Sequence, residues 1–186
     1  MLLSPPTLPA AFFVTYHLSG NQSHPIDWWY DSTQGAEMLV RRVSGSDTRA
    51  CQGLSLPCTD LVRDGVRWII HPTVNRCCYL GSASEGCGLL RRDWMVVGNA
   101  SYIGRQHVEG VLADEWDTLG YRWYKWWQQA GSNVPVKYVS VAGNEEAIYN
   151  RSSFRVVPEG FSTDRFWVPP TCNRSHECAA RWPCDL

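Results

Sequence analysis

Residues Gly120–Gln129, GYRWYKWWQQ, place five aromatic side chains in ten positions and three of the chain's ten tryptophans within five. Such a run makes a poor helix and a good strand. Rings crowd the preceding turn of a helix but pack well on a pleated surface, and no Gly or Pro interrupts the run after Gly120. Strand alternation then sorts the side chains: Tyr121, Trp123, Lys125 and Trp127 share one face, and Arg122, Tyr124, Trp126 and Gln128 the other. A strand with large rings on both faces needs apolar cover on both. This predicts a core on one side and a cavity, ligand or partner on the other.

The flanking sequence continues the same pattern. Tyr102–Glu109, Val111–Thr118, Val134–Val141 and Ala147–Val156 are rich in strand formers and are separated by Gly110, Gly120, Gly131-Ser132-Asn133 and Gly143-Asn144, the punctuation of an antiparallel meander. Upstream, Ala10–Leu18, Ile26–Asp31, Glu37–Val43, Arg67–His71 and Val74–Leu80 read as strands, with Gly45–Asp60 and Gly81–Gly88 irregular. Only Leu89–Val97 suggests a helix. The expectation is a mainly β chain, with two packed antiparallel sheets or one strongly curved one and one or two short helices. Residues 1–9 are expected to lack order, 10–171 to form a single β domain, and 172–186 to be a tail held by disulfides.

At 186 residues, one domain can bury roughly 70% of its unfolded surface. With 17 Lys plus Arg against 18 Asp plus Glu, there is no basic footprint for nucleic acid. The longest apolar run, Ala10–Val14, is too short to span a bilayer as a helix.

Cys51, Cys58, Cys77, Cys78, Cys87, Cys172, Cys178 and Cys184 include no C-x-x-C pair, so disulfides are expected rather than zinc. Four of the seven asparagines, Asn21, Asn99, Asn150 and Asn173, begin N-x-S sequons, which marks surface loops able to carry glycans. Together these point to a secreted or lumenal protein. Met1–Pro9 is a poor signal peptide, since it lacks a basic start and carries Ser4, Pro5 and Pro6 in its apolar stretch; the expectation is that a leader is missing from the chain.

Cys77-Cys78-Tyr79-Leu80, EGCGLLRRDW at Glu85–Trp94, ASYIGRQHVEGV at Ala100–Val111, DEWDTLG at Asp114–Gly120, VPVKY at Val134–Tyr138 and FWVPPTC at Phe166–Cys172 with a last Cys184 resemble, in order and spacing, the ependymin-related secreted glycoproteins, most closely their development-specific branch. The doubled Cys77-Cys78 and the tryptophan load depart from that pattern. The resemblance implies a half-barrel of antiparallel strands like that of bacterial lipoprotein carriers, a deep apolar pocket and often a dimer. It implies hydrophobic or lipid-like ligands, with calcium bound by some members, and no enzymatic activity.

The family transfers no site residues, so the pocket candidates come from alternation: Tyr121, Trp123 and Trp127 on one strand, Val136 and Tyr138 on its expected neighbour. Catalysis is not expected. His17, His24, His71, His107 and His176 are scattered, with no H-E-x-x-H or G-x-S-x-G motif. Asp114, Glu115 and Asp117 alternate across a strand, which favours solvated cross-strand pairs with Arg122 over calcium. Asp27 and Asp31 flank two tryptophans, a pairing suited to stacking and hydrogen-bonding a sugar, and this makes a carbohydrate-binding or structural interaction module the rival reading.

For the cysteines, Cys51 and Cys58 share one irregular loop and form the expected local pair. With the resemblance, Cys87 is expected to meet Cys172, and one of Cys77 and Cys78 to meet Cys184. Consecutive strand residues face opposite ways, so Cys77 and Cys78 can both reach the tail only at an edge or where the strand ends; if one cannot, it and Cys178 would stay free or join another subunit.

Overall fold

The structure is a computed structural model that describes residues 4–19, 24–45, 49–118, 123–141, 145–180 and 184. Eleven strands run in chain order: β1 (Ala11–Leu18), β2 (Ile26–Asp31), β3 (Ala36–Arg41), β4 (Cys58–Arg63), β5 (Val66–His71), β6 (Arg76–Ser82), β7 (Ser101–Val108), β8 (Val111–Thr118), β9 (Tyr124–Gln129), β10 (Pro135–Ser140) and β11 (Glu145–Val156). All eleven belong to one antiparallel sheet, ordered β6-β5-β4-β3-β2-β1-β11-β10-β9-β8-β7. Two meanders, β1–β6 and β7–β11, are therefore joined where β1 pairs with β11. Two packed sheets are not formed, and the single sheet does not close on itself.

Local chemistry sets the tight turns. Asp64-Gly65 between β4 and β5, and Glu109-Gly110 between β7 and β8, are two-residue loops with both residues at positive φ, the geometry that matches the twist of the flanking strands. Strand β4 falls where the sequence suggests a loop running to Asp60. The polar Asp60 interrupts its apolar pattern, yet it is 2% exposed and lies 3.6 Å from Arg67 of β5; ion pairing lets a charged residue occupy a buried strand position.

The order of the strands dictates the rest. Because β6 and β7 are the two ends of the sheet, the segment joining them, residues 83–100, has to cross a whole face. It does so mostly without helix. Helix α1 (Trp94–Val97) is its only α-helical turn, shorter than the Leu89–Val97 expected, because residues 86–92 instead spend their backbone groups on the sheet and the N-terminus. Gly88 O accepts from Arg67, Leu90 O accepts from Tyr30, and Leu8 N donates to Arg92 O. Leu8 is 6% exposed and joins the core, so the chain is tied into the fold at that residue.

Apolar side chains are buried on both faces of the sheet, as the two-sided strands require. On the face crossed by residues 83–100, Phe12, Val14, Trp28, Tyr30, Trp116, Trp126 and Tyr149 form the main core with Met95 of α1. On the other face, Trp29, Ala36 and Leu61 pack beneath Phe161, Phe166 and Val168 of the C-terminal segment. Asp31 anchors that segment: its carboxylate accepts hydrogen bonds from Phe161 N and from the Gln34 side chain, and Gln34 in turn donates to Phe161 O.

Every described cysteine is bonded: Cys51–Cys58, Cys77–Cys172, Cys78–Cys178 and Cys87–Cys184. The local pair is as expected, and the three tail cysteines do return to β6 and the loop after it. The pairing of Cys87 with Cys172 and of the adjacent pair with Cys184 is corrected, and Cys178 is not free. Cys77 and Cys78 face opposite sides of an edge strand, and the tail passes both: Tyr79 N donates to His176 O and Cys178 N to Tyr79 O. The three long bridges close loops of 95, 100 and 97 residues, each worth up to about 4–5 kcal/mol in the chain-entropy account.

Candidate functional site: a cavity under the crossing segment

Between the crossing segment and the sheet lies a cavity of about 610 Å3, within the range of small-molecule sites. Its wall includes Arg67 of β5 and Thr118 of β8, which stand eight strand intervals apart in the sheet order. Laid flat, these strands would be roughly 38 Å apart at about 4.8 Å per interval. One cavity reaching both means that the sheet curls around it.

The cavity wall is aromatic along its middle. Tyr16, Trp28, Tyr124, Trp126, Tyr138 and Tyr149 come from β1, β2, β9, β10 and β11, and Trp94 closes it from α1. Their rings hold one another in place. Tyr124 stacks on Tyr138 at 5.6 Å, Trp126 meets Tyr149 edge-on at 5.6 Å, and Trp94 packs edge-on against both Tyr124 and Trp126. Burial pushes the hydroxyls of Tyr138 and Tyr149 well above the ordinary tyrosine range, with neighbouring Tyr124 and Tyr16 adding to it, so both stay neutral.

A polar cluster interrupts this wall on β3 and β5. Glu37 accepts from Trp28 Nε1 at 2.8 Å and from the Leu90 backbone N–H, and Arg67 Nη2 lies 3.4 Å from its other oxygen. Burial pushes the Glu37 carboxyl up, Arg67 pulls it down, and Asp60 pushes it up again.

Of the expected pocket residues that the structure describes, only Tyr138 lines the cavity. Trp127 and Val136 pack with Ala113 on the opposite face, Trp123 is 45% exposed, and Tyr121 lies outside the described residues. The expected faces of β9 are thus exchanged: Tyr124 and Trp126 look into the cavity. Lys125 carried the signal. It shares a face with Trp123 and Trp127 and reaches Glu115 and Asp117 of β8, while Lys137 lies over the Trp127 ring, which marks that side as solvated. A bulge between Pro135 and Lys137 then turns Val136 to the same side as Trp127 instead of Tyr138.

The remaining candidates have structural partners. Asp114 pairs with Arg105 at 2.8 Å and accepts from Tyr102, and Arg105 holds its carboxyl below the usual range; Arg122 lies outside the described residues. No group of three or more His, Cys, Asp or Glu is placed to hold a metal among the described residues. Asp27 pairs with Arg42 and Thr15, Asp31 is wholly buried, and Trp29 lies under Arg165 and Arg155, so their face of β2 offers neither a free carboxylate nor an open ring, while Trp28 lines the cavity on the other face. Asn99, Asn150 and Asn173 lie at the surface, and Asn21 lies outside the described residues. No described helix is long and apolar enough to cross a membrane.

A family model described as "Domain of unknown function (DUF8395)" matches residues 5–161. No curated protein matches. An uncharacterized conserved protein from Thermus thermophilus shares the fold, with a TM-score of 0.57 at 8% identity over 90% of this chain and 91% of that one. Lipoprotein LppX of Mycobacterium tuberculosis aligns at 0.47 and 14% identity over 84% of this chain and 90% of its own. LprF from Mycobacterium bovis aligns at 0.42 and 13%, over 89% and 90%.

Proposed function

The chain belongs to the DUF8395 family, and from its cavity we propose that it binds a hydrophobic, lipid-like molecule non-covalently. The observation that carries this reading is the aromatic wall: Trp28, Trp126, Tyr138 and Tyr149 face a cavity of about 610 Å3, where each buried ligand methylene contributes about 0.8 kcal/mol. The likeness of its cysteine and FWVPPTC motifs to ependymin-related proteins points toward the same class of ligand. Four disulfides suit an oxidising, extracellular or envelope compartment, and the surface sequons suit a glycoprotein there. The role is that of a binder and not of a catalyst.

Titration with Nile red, a neutral apolar fluorophore, tests the reading. Saturable binding that Leu39→Trp abolishes, by filling the cavity beside Glu37, is the expected outcome. Undiminished binding by a folded Leu39→Trp variant would overturn it.

A further inference from the structure

Glu37 and Asp60 are 5% and 2% exposed, and the ion pairs they make among the described residues are with the single guanidinium of Arg67. That guanidinium is held loosely. Its distances to them are 3.4 and 3.6 Å, its Nε has no hydrogen-bond partner, and Asp60 Oδ2 accepts no hydrogen bond. Two buried carboxyl groups sharing one guanidinium leave room for one further positive charge, met by a proton on Glu37, whose carboxyl is pushed up by burial and by Asp60, or by a bound cation. Glu37 and Arg67 both line the cavity, beside Leu39. Arg41, the next cavity-lining cation on β3, is four residues further along the strand, about 13 Å away, and Arg91 is engaged by Asp93.

We propose that the cavity takes an amphiphile whose polar end is a hydrogen-bond-donating cation, such as a long-chain primary amine, with that end against Glu37 and its aliphatic chain along the aromatic wall. This rests on the reading of the cavity as a site for a hydrophobic ligand. An ammonium supplies the missing positive charge and donors for the lone pairs that Arg67 reaches only at long range. A carboxylate would add a third negative charge to the cluster. The backbone contacts of Glu37 and Arg67 to Leu90 and Gly88 also fasten the crossing segment. That role alone confers no preference between head groups.

Decylamine, decanol and decanoate share one chain and differ in the head group. Their displacement of Nile red from the full chain at neutral pH should rank amine over alcohol over carboxylate, with roughly tenfold to a hundredfold between the ends of the series. Glu37→Gln should bring the amine and carboxylate to within about threefold, and Glu37→Asp should keep the amine first. If Glu37→Gln does not fold, the ranking by the unmodified protein still decides. Equal binding of all three, preference for decanoate, or an amine preference that survives Glu37→Gln overturns the inference and leaves the cavity reading standing. Binding of none of the three, with no Nile red binding, overturns both.

Discussion

The Tyr30 hydroxyl, fully buried on β2, donates a 2.7 Å hydrogen bond to the Leu90 carbonyl of the segment that crosses the cavity. It ties the middle of that segment to the middle of the sheet. Tyr30→Phe leaves the carbonyl without this partner and should cost about 1–2 kcal/mol. Hydrogen exchange should rise across residues 88–92 more than in β1 or β11. An unchanged melting temperature together with unchanged exchange would show that the contact holds nothing.

Asp31 gives a pH-dependent prediction. Burial opposes its charge, but hydrogen bonds from Thr33, Phe161 and Gln34 outweigh that and hold the carboxyl below its ordinary value. A folded-state pKa below the unfolded one stabilises the fold above the unfolded value of about 3.9, and this stability is lost as the pH falls through the folded value. The melting-temperature gap between the parent and Asp31→Asn should therefore be full at neutral pH and narrow below about pH 4. A gap of equal size at both ends of that range would contradict the assignment.

At Gly81 the constraint is space. A Cβ there would stand 2.3 Å from Cys87 Sγ, inside the bridge that holds Cys184. Gly81→Ala should destabilise by about 1–3 kcal/mol, as overpacking does, and should lower the yield of the Cys87–Cys184 peptide in non-reducing maps. Parent-like yield and melting together would refute this.

Trp126 and Trp123 separate the two faces of β9. Trp126, 4% exposed on the cavity side, should cost about 3–5 kcal/mol when cut to Ala and should weaken Nile red binding. Trp123→Ala, at the surface beside Asp117, should change stability by less than about 0.5 kcal/mol and leave binding alone. Weakened binding in Trp123→Ala would restore the opposite face as the site.

Ten of the eleven strands are legible in the sequence, because their strand-forming runs and glycine turns act locally. The exception, β4, has a buried Asp60 whose partner Arg67 lies on the next strand, and the Asp64-Gly65 turn is the cue to it. The site is less legible. Alternation correctly divides Tyr124 and Trp126 from Trp123 and Trp127, but which set faces inward depends on a long-range event, the passage of residues 83–100 over one face. Glu37 and Arg67 carry no motif at all; only the curl of the sheet brings them to a common cavity. The local Cys51–Cys58 bridge follows from proximity in the chain, whereas the long bridges depend on the path the tail takes along β6.

The two ends of the sheet are finished differently. At β6 the tail lies against Tyr79 and is fastened through Cys77 and Cys78, while the outer backbone groups of β7 pair with no strand among the described residues. A sheet with two bare ends could recruit copies of itself without limit, as cross-β assemblies do. The tail occupies the β6 edge at Tyr79 through an isolated parallel bridge to Glu177, and the disulfides at Cys77 and Cys78 hold it there. They act as a guard on one of the two edges at which a strand of another chain could add.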